Sequence, residues 1–284
     1  RAFVDRMRPG DPADPLLRQV LPLVEEDEPV AGFTADPVGE SASPPVDLVL
    51  HKYQGRALVM VTGACAIHCR YCFRRHFPYA DLGPAPPEWD GAVDRVASDP
   101  AISEVILSGG DPLTVPDSRL EVLARKLAMV PHLKRLRIHT RLPIVLPRRV
   151  DGELNSWVGG LGMQTVVVVH ANHANEIDDD VRRALAALDA TGATLLNQTV
   201  LLAGVNDSVD ALADLGETLF DAGVLPYYLH MLDPVEGAAH FEVSEERARE
   251  LINDVAARLP GYLVPKLVRE VPGAPAKIGV DLWR

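Results

Sequence analysis

The three cysteines of this 284-residue chain, Cys65, Cys69 and Cys72, all fall within eight consecutive positions as CxxxCxxC. Iron-sulfur clusters are usually held by four thiolates, and a closed zinc site also takes four ligands, so three thiols at this spacing leave one coordination position open. A Cys3His zinc site completed by His68 or His76, or thiols packed as small hydrophobes, are the alternatives. An odd count clustered in a long chain is not a disulfide framework and points to metal. Any fold must therefore present this short loop to a cofactor.

Composition narrows the partners. Lys plus Arg at 28 against Asp plus Glu at 40 gives a net charge of −12, which disfavours a general nucleic-acid-binding surface. With 47% hydrophobic residues the chain reads as globular, and its length suits two average domains or one α/β barrel. No apolar run approaches the ~18 residues of a membrane span. The longest, Ala57 to Val61 and Thr165 to Val169, are strand-sized. Arg1, Arg6 and Arg8 are interrupted by Asp5, Asp11 and Asp14, unlike a transit peptide, and no apolar signal core follows. A cytoplasmic location is expected, since unpaired thiols need a reducing compartment.

Residues 1–50, rich in Pro, Asp and Glu, read as an N-terminal lead-in with one helical stretch from about Asp14 to Val24; residues 51–284 read as the main domain. Strand candidates are Ala57 to Thr62, Glu104 to Leu107, Arg135 to His139, Gln164 to Val169, Thr194 to Val200 and Val224 to Leu229. Between and after them run apolar stripes at helical spacing: Val181, Leu185 and Leu188; Leu212, Leu215 and Leu219; Leu251, Ile252, Val255 and Leu259. Six successive βα units imply an α/β fold with parallel strands, an open (β/α)6 barrel, with a doubly wound open sheet as the alternative. The barrel is favoured because polar residues gather where such barrels build active sites, at the C-terminal ends of strands. The cysteine loop follows the first strand, Ser108 to Leu113 the second, His139 to Arg141 the third, His170 to His173 the fourth and His230 to Asp233 the sixth.

Each motif has a plain reading beside a chemical one. Gly109 and Gly110 before Asp111 are ordinary turn punctuation or a Gly-rich edge against a ligand. His170 and His173 read as structural histidines or as site residues. Asn197 and Gln198 need partners, for which ribose hydroxyls or barrel backbone would serve. Lys277, in PGAPAKIGVDL, reads as a solvated charge or as a Schiff-base lysine for pyridoxal phosphate (PLP). Lys266 sits in the strand-like context LVPKLVRE and is the weaker candidate.

Two resemblances sharpen this reading. CxxxCxxC followed by a Gly-rich edge resembles the radical S-adenosylmethionine (SAM) enzymes, in which SAM chelates the unique iron of a 4Fe-4S cluster. The phrases LHKYQGRAL, GACAIHCRYCFRRHFPYA, ILSGGDPL, KRLRIHTRLPIVLPRRV, VVHANHANEID, LLNQTVLL and GYLVPKLVREVPGAPAK resemble the lysine 2,3-aminomutase family. The likeness covers essentially the whole chain and is narrowest to the short branch that makes β-lysine for modification of elongation factor P. It implies a radical SAM partial (β/α)6 barrel preceded by a helical lead-in, with Cys65, Cys69 and Cys72 on the cluster and Lys277 carrying PLP. Lys52, Tyr53 and Arg56 are implied around PLP, with Arg149 on its phosphate. Tyr71, Gly109, Gly110, Asp111, His139, His170 and Gln198 are further cofactor-binding candidates.

By the same resemblance Arg74 takes the substrate carboxylate and Asp233 the distal ammonium. Glu270 stands where longer members carry a second aspartate; a salt bridge to Arg269 or a solvated end charge is its other reading. The implied reaction converts L-lysine to β-lysine, (R)-β-lysine in this branch. A flavodoxin or ferredoxin would supply electrons, and a separate ligase would join the product to elongation factor P. With Arg74 and Asp233 as a charge ruler, a second carboxylate such as that of glutamate would meet a like charge, an unfavourable ~4 kcal/mol at ~4 Å and an effective dielectric of ~20. An aminomutase acting on another cationic amino acid and a non-catalytic iron-sulfur sensor are the alternatives. The sequence closes seven residues after Lys277, at Arg284, without the extension of the catabolic members.

Overall fold

The computed structural model describes residues 2–40, 48–79 and 89–280. Its elements are α1 (Pro15–Arg18), β1 (Val49–Tyr53), β2 (Arg56–Thr62), α2 (Asp90–Ala97), β3 (Glu104–Gly109), α3 (Asp117–Ala128), β4 (Arg135–Thr140), α4 (Leu142–Val145), α5 (Gly152–Gly159) and β5 (Gln164–Val169). There follow α6 (Asp179–Asp189), β6 (Thr194–Val200), α7 (Val209–Asp221), β7 (Leu225–His230), α8 (Glu245–Arg258), β8 (Lys266–Arg269) and β9 (Ile278–Gly279). The later helices start where short polar side chains can satisfy their first amides. Asp151 accepts from Glu153 and Leu154, Asp178 from Val181, Ser208 from Ala211 and Ser244 from Arg247.

All nine strands lie in one sheet in sequential order, β1 to β9. Strands β2 to β8 pair in parallel, and β1 and β9 add antiparallel edges. A doubly wound sheet reverses its strand order at a switch point, and this one never does. The six expected parallel strands are present, and β8, the strand-like stretch around Lys266, extends them to seven. In the lead-in the expected helix is cut short. It spans only Pro15–Arg18, and a separate 3-10 turn covers Val24–Asp27. Pro22 lacks an amide to continue the ladder and disfavours helical backbone at Leu21.

Alternation along the strands sorts side chains between two environments. Ala57, Val59, Val61, Val105, Leu107, Leu136, Ile138, Val167, Val169 and Leu195 join one buried cluster with helix residues Val96, Leu120, Leu123, Trp157, Val181, Leu185 and Leu219. A second cluster packs Leu229 and Leu267 against Leu251, Ile252 and Val255 of α8. The intervening positions, among them Arg137, His139, Gln198, Tyr228 and His230, face the other side of the sheet. A closed barrel fills that side with branched apolar residues. Here apolar Leu58, Met60, Ile106, Val168 and Leu196 share that side with these polar groups, which gather toward the later strands. No helix among the described residues is long and apolar enough to cross a membrane.

Asn197 has the helix-side parity of Leu195 and stitches strand ends rather than facing the cavity. Its Oδ1 accepts from the Ala171 amide at 2.8 Å, and its Nδ2 donates to Ala171 O at 3.0 Å and to Thr199 Oγ1 at 2.8 Å. Replacing it with leucine orphans the buried Ala171 amide. A urea titration of Asn197→Leu is expected to show about 1–3 kcal/mol of lost stability.

Candidate active site

The loop after β2 is pinned against the end of β3 by backbone alone. Gly110 N–H donates to Thr62 O at 2.6 Å and Asp111 N–H to Ala64 O at 2.8 Å. A Cβ on Gly109 would lie 2.5 Å from Thr62 O, and Gly109 holds φ +115; a Cβ on Gly110 would lie 2.2 Å from Ala64 O. Glycine is required at both because two backbones touch. The Asp111 carboxylate accepts from Leu113 N–H and Thr140 Oγ1 on one oxygen and from the Arg141 and Leu142 amides on the other. Expected as a cofactor contact, Asp111 has its carboxylate committed to four protein donors.

The three thiols are free, Cys65 exposed and the others half-buried. Burial, then the charge of Asp111 and of the other two sulfurs, pushes Cys65 up to about 12. Burial and then Cys69 push Cys72 up to about 11. Three sulfurs near enough to repel one another as thiolates are a site that a cationic metal centre relieves. Among the described residues no three or more His, Cys, Asp or Glu converge as ligands of a single ion, and the His76 ring sits 3.2 Å from Glu236 O. Three thiols with one coordination position left open are the donor set of a cluster whose fourth iron takes another ligand.

Behind the loop lies a buried polar network that links it to the lead-in. Arg141 donates from Nη1 to Cys69 Sγ at 2.8 Å, and from Nη2 to Gln19 Oε1 at 2.6 Å and Glu176 Oε2 at 2.8 Å. Asn172 Nδ2 donates to Gln19 Oε1 at 2.9 Å and to the Tyr71 hydroxyl at 2.7 Å. His170 Nε2 stands 3.3 Å from that hydroxyl, and burial pushes His170 down to about 3. Tyr71, expected at a cofactor, turns inward: its hydroxyl serves this network and its ring meets Phe241 edge-on. Glu176 and Gln19 were not legible as site residues, and Arg141 and Asn172, though within the polar strand ends singled out above, had no legible partners, because those come from segments far apart in sequence.

On the polar face of the sheet the two ends of the chain meet. His139 is held well below the usual histidine range by burial first, then by the charges of Arg137, Lys277, Arg74 and His230. His230 is lowered by burial, then by Lys277 and His170. Both rings carry a buried Nε2 with no protein partner. Such orphaned atoms in a polar cavity fit a bound ligand, since an unpaired buried polar group is costly. Lys277 Nζ lies 2.7 Å from Glu270 Oε2 and 5.9 Å from the centre of the Tyr228 ring. The other oxygen of Glu270 accepts from the Tyr53 hydroxyl. Burial, then Glu270, raises the Tyr53 phenol above its ordinary value, and Asp233 adds to this, so Asp233 belongs to the same group. Arg56 stacks over Tyr53 at 4.9 Å. Gln198 stands half-buried on the same sheet face.

Three expectations need revision. Glu270 is paired with neither Arg269 nor bulk water; Arg269 pairs with Glu245 instead. Arg149 is committed to protein partners. Its guanidinium meets Asp117 at 2.7 Å and donates to Leu113 O and Val115 O, so its phosphate role is withdrawn. Arg74 is not a surface residue. It is buried, with Nε and Nη2 on the two oxygens of Glu40 at 2.8 and 2.7 Å. Lys52 lies on β1, and its side chain is outside the described residues.

The sequence is 51% identical over 282 residues to the Escherichia coli K12 protein named L-lysine 2,3-aminomutase, covering 99% of this chain and 82% of that one. Proteins of the same name from Haemophilus influenzae and Clostridium subterminale are 47% and 36% identical, over 97% and 98% of this chain and 81% and 67% of theirs. The chain belongs to the L-lysine 2,3-aminomutase family. No family model matches the chain. In fold this aminomutase-family chain is similar to SuiB of Streptococcus suis bound to S-adenosylmethionine, with a TM-score of 0.58 at 14% identity, over 77% of this chain and 51% of SuiB. The chain thus spans about half the length of that structure. A radical SAM methyltransferase from Sphaerobacter thermophilus gives a TM-score of 0.51 at 18% identity, over 78% of this chain and 68% of that one. The aminomutase-family sheet therefore has the fold of radical SAM enzymes.

Two outcomes are expected. Gly110→Ala must push the cysteine loop off β3, so reconstituted protein should lose most of its bound iron and its visible cluster absorption. In metal-free protein Cys65 and Cys72, followed site by site by peptide mass spectrometry, should alkylate slowly with iodoacetamide at pH 8. The rate should climb about tenfold per pH unit until the titrations at about 11 and 12 are reached.

Proposed function

We propose that the protein isomerises L-lysine to β-lysine as a radical SAM, PLP-dependent aminomutase. Residues 51–284 would form the catalytic unit and residues 1–50 a lead-in against it. The observation that carries this reading is the meeting of Lys277, Arg74 and two neutral histidines on the sheet face beside the cysteine loop, in a chain of this family. Cys65, Cys69 and Cys72 would hold a 4Fe-4S cluster, and Lys277 would tether PLP. When bound, the cluster with SAM supplies a carbon radical able to remove hydrogen, and PLP supplies the conjugation through which nitrogen moves between adjacent carbons.

The chain's own residues bind, orient and shield. Arg74 and Asp233 fix the two ends of lysine, and a substrate with an anionic tail would bring like charges together at Asp233. His139 and His230, kept neutral by burial and by neighbouring cations, add hydrogen-bonding capacity without a charge that would repel the substrate's amino groups. Glu270 balances the ammonium of Lys277 whenever that amine is uncommitted. Gln19 of the lead-in, bonded to Arg141, braces the guanidinium that donates to Cys69 Sγ. We further infer the elongation factor P branch, the (R) product, a flavodoxin or ferredoxin as electron donor, and the cytoplasm as the compartment.

Reduced, reconstituted protein given SAM, PLP and a panel of amino acids should form β-lysine from lysine, read by mass spectrometry. Turnover of another cationic amino acid in its place, or of none, would reject the assignment. Lys277→Ala should abolish the visible PLP absorption. Asp233→Asn should raise KM for lysine about ten- to hundredfold, the worth of a hydrogen bond to a charged group.

A further inference from the structure

Arg74 is held more tightly than a substrate-binding arginine needs to be. Its Nε and Nη2 donate to separate oxygens of Glu40 at 2.8 and 2.7 Å, and its guanidinium lies 4.8 Å from the centre of the Phe73 ring. Among the described residues the one hydrogen-bond partner of Nη1 is Ser108 Oγ, at a long 3.4 Å. Of five N–H groups in one plane, Glu40 takes two on one edge, which leaves the Nη1 edge for another acceptor.

We propose that Glu40 is a positioning residue for substrate recognition: by gripping one edge of Arg74, it presents the other edge to the carboxylate of the amino acid. The inference rests on the reading of Arg74 as the carboxylate anchor. The competing idea is that Glu40 is a stand-in which substrate displaces, and two observations oppose it. Both side chains are buried, at 8% and 7% exposure, so a displaced Glu40 would be a buried carboxylate without its cation. Its backbone is also fixed. Glu40 N–H donates to Asp36 Oδ1 at 2.9 Å, and the preceding Gly39, at φ +69, abuts Pro272 of the Lys277 loop with room for a Cβ only at 3.4 Å. The turn that carries Glu40 thus touches the segment that carries Lys277, tying both ends of the site to one frame.

The test uses reconstituted holoenzyme and two substrates, lysine and lysinamide, which lacks the carboxylate. Glu40→Gln keeps the shape but turns an N–H toward an N–H, so one bond of the fork is lost. KM for lysine should rise about tenfold or more with kcat within about threefold, and the preference for lysine over lysinamide in kcat/KM should fall by a similar factor. Glu40→Asp, which keeps the charge, should fall between wild type and Glu40→Gln. An unchanged or lowered KM in Glu40→Gln overturns the inference; if that variant does not fold, an unchanged KM in Glu40→Asp does so. Arg74→Gln separates the two levels. If it keeps the lysine preference, the anchor reading fails and the inference with it. If it loses the preference while Glu40→Gln retains it, the inference alone fails.

Discussion

Four cations around the polar face are each answered by a specific carboxylate, and this charge balance organises the site. Arg74 pairs with Glu40, Arg141 with Glu176, Arg137 with Glu104 and Lys277 with Glu270. Removing one member of a buried pair typically costs about 3–5 kcal/mol, because the other is left uncompensated. Two of the four carboxylates lie outside the strands' immediate ends: Glu40 in the lead-in and Glu176 in the turn before α6. The site is therefore not built by strand ends alone. The lead-in supplies charge that the parallel strands lack, which explains why a segment with so little regular structure is so firmly held.

A second constraint is backbone contact. Polar side chains that look available for chemistry are consumed in holding loops at fixed distances. The Asp111 carboxylate gathers the amides that open α4, and Asn197 joins β6 to the turn after β5. Gly109 and Gly110 do the same by having no side chain. The orphaned imidazole nitrogen of His139 lies at a strand end that the Asp111 carboxylate fixes through Thr140 and Arg141. Rigid anchoring and unsatisfied atoms go together, since a mobile ring would turn to find a partner.

The strands were legible because the alternation of apolar residues is periodic and local: β2 to β7 fall within two residues of their expected bounds. The cysteine motif and Lys277 were legible because residue type and spacing carry the chemistry. Glu176, Gln19 and Glu40 were not, nor were the partners of Arg141, because a pair such as Gln19 with Arg141 bridges segments 122 residues apart and leaves no pattern in sequence. Arg149 was misread for a related reason. It shares a stretch with site residues, yet the carbonyls of Leu113 and Val115 and the carboxylate of Asp117 lie nearer than the cavity. Tyr71 shows the same limit: its place beside Cys72 is set by sequence, but its direction is set by Asn172 and Gln19.

Glu270 brings the charge argument to a choice. It has two oxygens, one accepting from Tyr53 and the other meeting Lys277. Each oxygen keeps acceptor capacity, but the Tyr53 phenol, raised by burial and by Glu270 itself, keeps its proton and its bond, and Lys277 is the cation already in place. Under the proposed function, Lys277 would hold PLP in the resting protein and would be a free amine while substrate is bound, when its need for a counter-charge would be greatest. Glu270 is then committed to Lys277 at the moment a distal ammonium would ask for it. The reading of that ammonium falls on Asp233. The extra methylene of glutamate, relative to the aspartate of longer family members, supplies the reach for this division: one acid for the enzyme's own amine, the other for the amine of the substrate.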